Sequence, residues 1–168
     1  MKSVLISIRP KWCELIANGK KTVEIRKTVP KLETPFKCYI YCTDGAMMYS
    51  PVINYGRKMV IGEFICYEII PIRVFNNGTI QDYNRQDMQR SCVPYDDLAM
   101  YIGYNRKGYG WHISDLVIYD KPRDLREFHK VGYSETKDSV FGWTYEEETS
   151  WQISRPPQSW CYVEAQKG

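Results

Sequence analysis

An eight-residue run, GKKTVEIR, occupies residues 19–26 and concentrates charged side chains in one short segment. Within it, Glu24 and Arg26 alternate with apolar residues, which predicts a strand over residues 21–27. Lys21 directly follows a predicted turn, so it need not obey that alternation and can lie beside the other two charges. A cation, a carboxylate and a guanidinium this close together can bind a phosphate, pair with the edge of a base or polarise a carbonyl. An ion-pair cluster on the surface of a strand is the alternative that the residues alone leave open.

The segments around this run predict a chain with more strands than helices. A first strand is expected over residues 4–8, and Pro10 suits the first turn of a short helix over residues 11–18, which Asn18 and Gly19 end. Further strands are predicted over residues 36–42, 59–72, 111–119 and 160–164, and a second helix over residues 93–102. These elements indicate one α+β domain with a partly closed sheet.

Positive charge is concentrated in the first third of the chain. Residues 1–60 carry 11 Lys and Arg against 4 Asp and Glu, whereas the whole chain of 168 residues has a formal net charge of only +3. Such a local excess suits a phosphate-bearing partner, although it also suits simple solubility. Aromatic residues make up 14% of the chain, a fraction that favours strands and ring-lined clefts.

Several classes of protein are disfavoured by composition. No run approaches the roughly eighteen apolar residues that a membrane span needs, and the apolar start at residues 4–8 is too short for a secretory signal. We therefore expect a cytoplasmic protein that does not contact a membrane. The six cysteines show no two-residue spacing and the chain has only 2 histidines, so we expect neither a metal nor a cofactor.

The run at residues 19–26 resembles the Gly-x-Lys-x-x-Glu-x-Arg signature of the ASCH domain, a branch of the PUA-like superfamily. The four fixed places hold Gly19, Lys21, Glu24 and Arg26. The context is also similar, because the run follows a strand and a short helix and opens the next strand. The strands around residues 111–116 and 159–163 look like those of the larger bacterial and phage ASCH proteins.

The resemblance covers nearly the whole chain and is weakest at residues 130–155. It implies a single domain over residues 1–168, with a PUA-like, partly closed β-barrel and short peripheral helices. An insertion or ordered aromatic flap is expected around residues 130–155.

The family is associated with RNA binding, and the resemblance implies a cleft beside the first helix into which Lys21, Glu24 and Arg26 project. We therefore expect a nucleic-acid-binding module that accepts RNA or a flipped or modified base. Lys21 and Arg26 would be cationic contacts, and Glu24 would position Lys21 or a base amine.

Other residues could border this cleft. Lys11 and Trp12 lie on the first predicted helix and could cover a stacked base, although the helical spacing of Trp12 also suits a core residue. Arg9 could contact a phosphate. Arg155 and Gln158 precede the last predicted strand and could reach the same cleft.

An enzyme is the alternative, and the sequence leaves that question open. Some small members of the family hydrolyse the amide of N4-acetylcytidine with a Lys, a Thr and a later Glu. In an amidohydrolase acting on N4-acylated cytidine nucleosides, Lys21 and Glu24 would be the catalytic residues. The sequence departs from that pattern, because Glu24 stands in the place of the Thr, although Thr22 lies near. In the stretch before the second predicted helix, residues 87–91, only Asp87 offers a carboxylate as a counterpart of the later Glu.

A metal-assisted ribonuclease is a further alternative, since other family members are reported as ribonucleases. It would require clustered carboxylates, and Glu24, Glu63 and Glu68 are the acids near the predicted cleft strands. We interpret His112 as a structural histidine. The tyrosines at the end of the second predicted helix are interpreted as packing residues outside the site. They are Tyr101, Tyr104 and Tyr109.

Overall fold

A computed structural model of the chain describes residues 1–45, 56–81, 83–133 and 145–166. The strands are β1 (Lys2–Ile8), β2 (Val23–Arg26), β3 (Phe36–Cys42), β4 (Met59–Val74), β5 (Ile80–Gln81), β6 (Arg106–Arg123) and β7 (Trp160–Glu164). The α-helices are α1 (Pro10–Ala17), α2 (Arg85–Ser91), α3 (Tyr95–Ile102) and α4 (Tyr145–Trp151), and a 3-10 turn covers Leu125–Glu127. Residues 134–144, which belong to the flap expected around residues 130–155, lie outside the described residues. No described helix is long and apolar enough to cross a bilayer.

The strands form one mixed, seven-stranded sheet in the order β2-β6-β4-β3-β1-β7, with β5 paired to β4. β1 and β3 are parallel, and the other pairings are antiparallel. The longest ladder joins β4 to β6, from Val74 opposite Arg106 to Val60 opposite Arg123. This open sheet with short helices confirms the predicted α+β architecture.

β2 and β7 stand at the two ends of the strand order, and side chains bridge the gap between β2 and the β1–β7 pair, here called the seam. Arg26 Nη2 donates to the carbonyl oxygen of Ser7 at 2.7 Å, and Arg26 Nη1 donates to Ser159 Oγ at 3.4 Å. Trp160 Nε1 donates to Thr28 Oγ1 at 3.0 Å. Side-chain hydrogen bonds, not backbone pairing, therefore connect the ends of the open sheet at the seam.

Helices α1 and α3 pack on opposite faces of the sheet near β2. Cys13 and Ile16 of α1 lie in a core that also contains Trp111, which is opposite Glu24 in the β2–β6 register. Helix α3 packs in another core with Val23 and Ile25. Because successive strand residues point to opposite faces, the charged and apolar residues of β2 lie on different faces of the sheet, as the alternation predicted.

Helix α2 is absent from the sequence-based prediction. Its cap is Asn84, whose side chain accepts a hydrogen bond from the backbone N–H of Asp87. An Asn followed three residues later by an acidic residue is a recognised signal for the N-terminus of a helix, so the start of α2 was predictable from the sequence. Ser91 ends α2, and the helix predicted over residues 93–102 is α3, which begins at Tyr95.

Candidate functional site

The turn after α1 fixes the position of Lys21. Gly19 has a φ of +75°, a left-handed conformation that glycine adopts without a steric penalty. The backbone N–H of Lys21 then donates to the carbonyl oxygen of Leu15 at 2.9 Å. Lys21 is thus held against the end of α1 and precedes β2, which begins at Val23 and is shorter than the predicted strand over residues 21–27.

Lys21, Glu24 and Arg26 form a buried charged cluster. The carboxylate lies between the two cations, with Glu24 Oε2 at 3.5 Å from Lys21 Nζ and Glu24 Oε1 at 3.0 Å from Arg26 Nη2. The three side chains are 1%, 6% and 8% exposed in that order. The alternative of a surface ion-pair cluster is therefore wrong. Removing one member of such a group would leave an uncompensated charge in a poorly solvated place.

The Lys21 ammonium has two further neighbours. Nζ donates to the carbonyl oxygen of Ser91 at 2.6 Å, and this carbonyl, at the last residue of α2, has no intrahelical partner. Nζ also lies 4.9 Å from the ring centroid of Trp12. Burial lowers the pKa of Lys21, while the nearby Glu24 carboxylate opposes that shift. The amine is therefore easier to deprotonate than that of an exposed lysine.

A cavity of about 750 Å³ opens beside the charged cluster, which lines it. Trp12 from α1 and Tyr101 from α3 provide aromatic walls, and Ser7 and Gln158 line it on the far side of the seam. This volume falls in the range of roughly 300–1,000 Å³ that is usual for small-ligand sites. The cavity thus lies where the barrel is not closed by backbone pairing.

The structure brings most of the predicted site residues together. Those that line the cavity are Arg9, Trp12, Lys21, Glu24, Arg26 and Gln158. Lys11 and Arg155 are exposed and do not line it. Lys11 is nevertheless adjacent, since its Nζ lies 4.7 Å from the Trp12 ring centroid.

Tyr101 is a cavity residue, so its assignment to packing alone is wrong. It is 43% exposed, and its ring lies 5.0 Å from Lys27 Nζ. Burial raises the pKa of its phenol, and the Arg26 and Arg9 charges oppose that shift. Tyr104 is 56% exposed and does not line the cavity. No local signal separates these two tyrosines, because only the packing of α3 across β2 places one of them at the cavity.

Further lining residues come from segments that the sequence-based prediction did not connect with the site. Lys58 and Asp44 both line the cavity, where they form an exposed ion pair of 2.9 Å, and Tyr41 and Asp97 line it as well. These residues belong to β3, the β3–β4 connection and α3. Their distance in sequence from residues 19–26 explains why spacing alone did not reveal them.

Asp87, the candidate late carboxylate of an amidohydrolase, does not line the cavity. It is buried, accepts a hydrogen bond of 2.6 Å from Asn84 Nδ2, and has Oδ1 at 3.7 Å from His112 Nε2. His112 is also buried, with Nδ1 at 3.1 Å from Tyr67 Oη. The burial and contacts of His112 agree with a structural histidine. The Asp87 carboxylate interacts with Asn84 and His112, and not with Lys21 in the cavity.

The carboxylates considered for a ribonuclease do not meet at the cavity. Glu63 accepts hydrogen bonds from Lys37 at 2.7 Å and Tyr119 at 2.6 Å, and neither Glu63 nor Glu68 lines the cavity. Among the described residues, no three His, Cys, Asp or Glu side chains are grouped so that they could hold a metal ion.

Comparisons with known proteins agree with this architecture. The family model of the ASCH domain matches residues 6–111. The chain is similar to the crystal structure of ASCH from Zymomonas mobilis, with 19% identity, a TM-score of 0.56, and coverage of 96% of this chain and 87% of that chain. A serine-to-alanine variant of that protein gives a TM-score of 0.60 at 19% identity, covering 96% and 88%. A tyrosine-to-phenylalanine variant gives 0.56 at 22%, covering 89% and 95%. No curated protein matches the chain significantly.

Proposed function

The chain belongs to the ASCH domain family, and on that premise we propose that it binds single-stranded RNA and holds one base in the cavity. The PUA-like fold of this family is commonly linked to RNA binding. The observation that carries the proposal is the presence of three aromatic side chains, Trp12, Tyr41 and Tyr101, in one cavity with the charged cluster.

Aromatic side chains in a cavity suit a base that has left its stack. Unpaired bases of RNA loops and single strands bind by stacking on rings and by hydrogen bonds to their edges. Either Trp12 or Tyr101 can offer a ring to such a base. A lone phosphate or carboxylate would make no use of these rings, so the cavity favours a ligand with both a flat ring and polar edges.

The charged cluster would contact the edge of the base. Glu24 can accept a hydrogen bond from a base amine, and Lys21 and Arg26 can donate to base oxygen or nitrogen acceptors. Such hydrogen bonds are stronger in a cavity than in water because the local dielectric is lower. Arg9, which is exposed and lines the same cavity, would contact a phosphate.

The test is a binding titration of labelled, mixed-sequence, single-stranded RNA with a matched pair of tyrosine variants. Tyr101→Ala should weaken binding by about 1–3 kcal/mol, the usual value of one stacked base. Tyr104→Ala removes a more exposed ring three residues away and should leave the affinity unchanged. The affinity of the wild type should also fall steeply with salt, because phosphate contacts release counterions. Equal affinities of the two variants, or a salt-independent affinity, would contradict the proposal.

A second candidate function is hydrolysis of an N4-acylated cytidine. The observation that favours it is Lys21 itself, since the amine lines the cavity, has a lowered pKa and lies 3.5 Å from the Glu24 carboxylate. In this reaction water adds across the amide bond and releases a carboxylic acid and cytidine. Lys21 would be activated by desolvation, and Glu24 would shuttle the proton.

This second candidate is tested by mass spectrometry of N4-acetylcytidine incubated with the wild type and with Lys21→Met. A hydrolase should release cytidine and acetate only when Lys21 is present. An intact substrate would remove hydrolysis from consideration, and equal turnover by the variant would exclude Lys21 from the mechanism.

A further inference from the structure

Two of the three aromatic residues that line the cavity, Trp12 and Tyr101, each have an exposed lysine over the ring. Lys11 Nζ lies 4.7 Å from the Trp12 ring centroid, and Lys27 Nζ lies 5.0 Å from the Tyr101 ring centroid. Both lysines are exposed. Neither lines the cavity itself, so each places a positive charge just outside one of its walls.

These two lysines stand on different sides of the cavity. Trp12 belongs to α1 and Tyr101 to α3, and these helices pack on opposite faces of the sheet at β2. Lys27 directly follows the last residue of β2, whereas Lys11 is in the first turn of α1. Arg9 precedes α1, two residues before Lys11, and lines the cavity, where its charge also acts on the Tyr101 phenol.

The charges of these three side chains remain available to a ligand. Within the part of the chain that the structure describes, Arg9, Lys11 and Lys27 form no ion pair with a carboxylate. Lys58 differs, since Asp44 neutralises it at 2.9 Å. Lys11 and Lys27, which no carboxylate neutralises, thus lie beside Trp12 and Tyr101 respectively, where a strand passing through the site would place its backbone.

We propose that the cavity holds an internal nucleotide of a strand and that its two flanking phosphates bind on opposite sides. One phosphate would contact Arg9 and Lys11, and the other would contact Lys27. This inference rests on the proposed function and deepens it, because it excludes a free nucleoside or a mononucleotide as the preferred ligand. Phosphate contacts of this kind position a strand without reading its sequence, while the charged cluster contacts the base.

The test compares ligands that carry none, one or both of the flanking phosphates. For each of the four bases, calorimetric titration at low salt would measure the nucleoside, its 5′-monophosphate, its 3′,5′-bisphosphate and the homotrinucleotide, whose central residue has the same two phosphates as the bisphosphate. Affinity should rise with each phosphate from the nucleoside to the bisphosphate, and the trinucleotide should bind at least as tightly as the bisphosphate. A nucleoside or monophosphate that binds as tightly as the trinucleotide would overturn the two-sided arrangement.

Charge-removing variants test which side each phosphate occupies. Lys27→Gln should weaken trinucleotide binding about fivefold and reduce the slope of log affinity against log salt by about 0.7, the value for one phosphate contact on a single strand. Arg9→Gln should have a similar effect. In the Arg9→Gln, Lys27→Gln double variant, the slope of log affinity against log salt should be reduced by about 1.4. Lys121→Gln is the matched control, because Lys121 is exposed on β6 and does not line the cavity.

The outcomes separate this inference from the proposed function. If the wild type binds no RNA at low salt, both are overturned. If RNA binds and Tyr101→Ala weakens it, but Lys27→Gln behaves like Lys121→Gln, only the two-sided arrangement is overturned. A reduced slope for Lys27→Gln and Arg9→Gln, together with an unchanged slope for Lys121→Gln, would support it.

Discussion

The β4–β6 pair and the seam hold the same sheet together in different ways. β4 and β6 are joined by a backbone ladder that runs from the Val74–Arg106 pair to the Val60–Arg123 pair. At the seam, the bridging groups are side chains, chiefly Arg26. The hydrogen bonds of the ladder join only backbone groups. The hydrogen bonds across the seam need polar side chains that lie inside the molecule.

This difference explains why charged residues are buried at β2. The guanidinium of Arg26 bridges the seam to Ser7, and Glu24 compensates its charge. Because no strand fills the gap, the same residues also line a cavity of about 750 Å³. The charged cluster therefore has a structural role at the seam and, in our proposal, a binding role in the cavity.

The largest effect is expected from Glu24→Gln, which removes the carboxylate between two buried cations. The free energy of unfolding should fall by about 3–5 kcal/mol, because Lys21 and Arg26 are left uncompensated. The measurement is chemical denaturation. The matched control is Glu63→Gln on the ladder side, where the partner Lys37 is 35% exposed, and its cost should be about 1 kcal/mol or less. Equal losses for the two variants would contradict the special role of the seam.

Gly62→Ala should damage the ladder without affecting the cavity. A Cβ at Gly62 would overlap the carbonyl oxygen of Val117, part of the β6 backbone, so the two strands must shift. We expect a loss of about 1–3 kcal/mol in unfolding free energy. Gly45→Ala is the control, because its Cβ would meet Pro10 at an ordinary 3.5 Å. RNA affinity measured on the folded Gly62→Ala protein should equal that of the wild type, and a large loss would show that the two regions are coupled.

Thr28→Val should loosen the seam more gently. It keeps the shape of the side chain but removes the acceptor for Trp160 Nε1, which donates at 3.0 Å. The expected loss in denaturation is about 0.5–1.5 kcal/mol. Thr79→Val, at an exposed threonine in the β4–β5 turn, should change stability little. No difference between the two variants would mean that the Trp160 hydrogen bond does not stabilise the seam.

The smallest effect concerns the pH dependence of stability. Burial lowers the pKa of Lys21 in the folded protein, so as the pH rises the folded state releases this proton before the unfolded chain does. The unfolded chain then binds more protons, and stability rises with pH. The wild type should therefore gain stability relative to Lys21→Met as the pH approaches the ordinary lysine value of 10.5. Denaturation of both proteins across that range measures this gain, and a constant or shrinking difference would contradict it.

Regular alternation made much of the sheet predictable. The predicted strands over residues 36–42 and 160–164 agree with β3 and β7 residue for residue. The Asn77-Gly78 pair, a common hairpin signal, forms the turn between β4 and β5, with a φ of +80° at Gly78. These segments have local signals, because a strand with one face in the core must alternate and a tight turn needs a residue that tolerates positive φ.

The start of β6 was missed for a physical reason. Gly108 and Gly110 break the apolar pattern, so the strand was predicted to begin only at Trp111. In the structure both glycines lie within β6, where a Cβ at Gly108 would lie 2.6 Å from Ile102 Cδ1, and one at Gly110 would lie 3.2 Å from Tyr83. Glycine is needed at these two positions because α3 and the Tyr83 ring approach the β6 backbone closely. This requirement comes from tertiary packing and leaves no local signal in the sequence.

The site was predictable only in part, because some of its residues lie close together in sequence and others come together only through tertiary packing. Lys21, Glu24 and Arg26 belong to one short motif, and their proximity follows from it. Tyr101 and Lys58 reach the cavity from distant segments, and their neighbours in the chain carry no corresponding signal. Sequence patterns thus revealed the polar part of the cavity, whereas its second aromatic wall required the packing of α3.

The central claim is that RNA binds at this cavity, and cross-linking tests it most directly. Single-stranded RNA would be bound to the wild type, cross-linked with ultraviolet light and located by mass spectrometry of the modified peptides. We predict cross-links on the peptides that contain Trp12 and Tyr101, which disappear when excess unlabelled RNA competes. Cross-links confined to peptides that do not line the cavity would contradict the account.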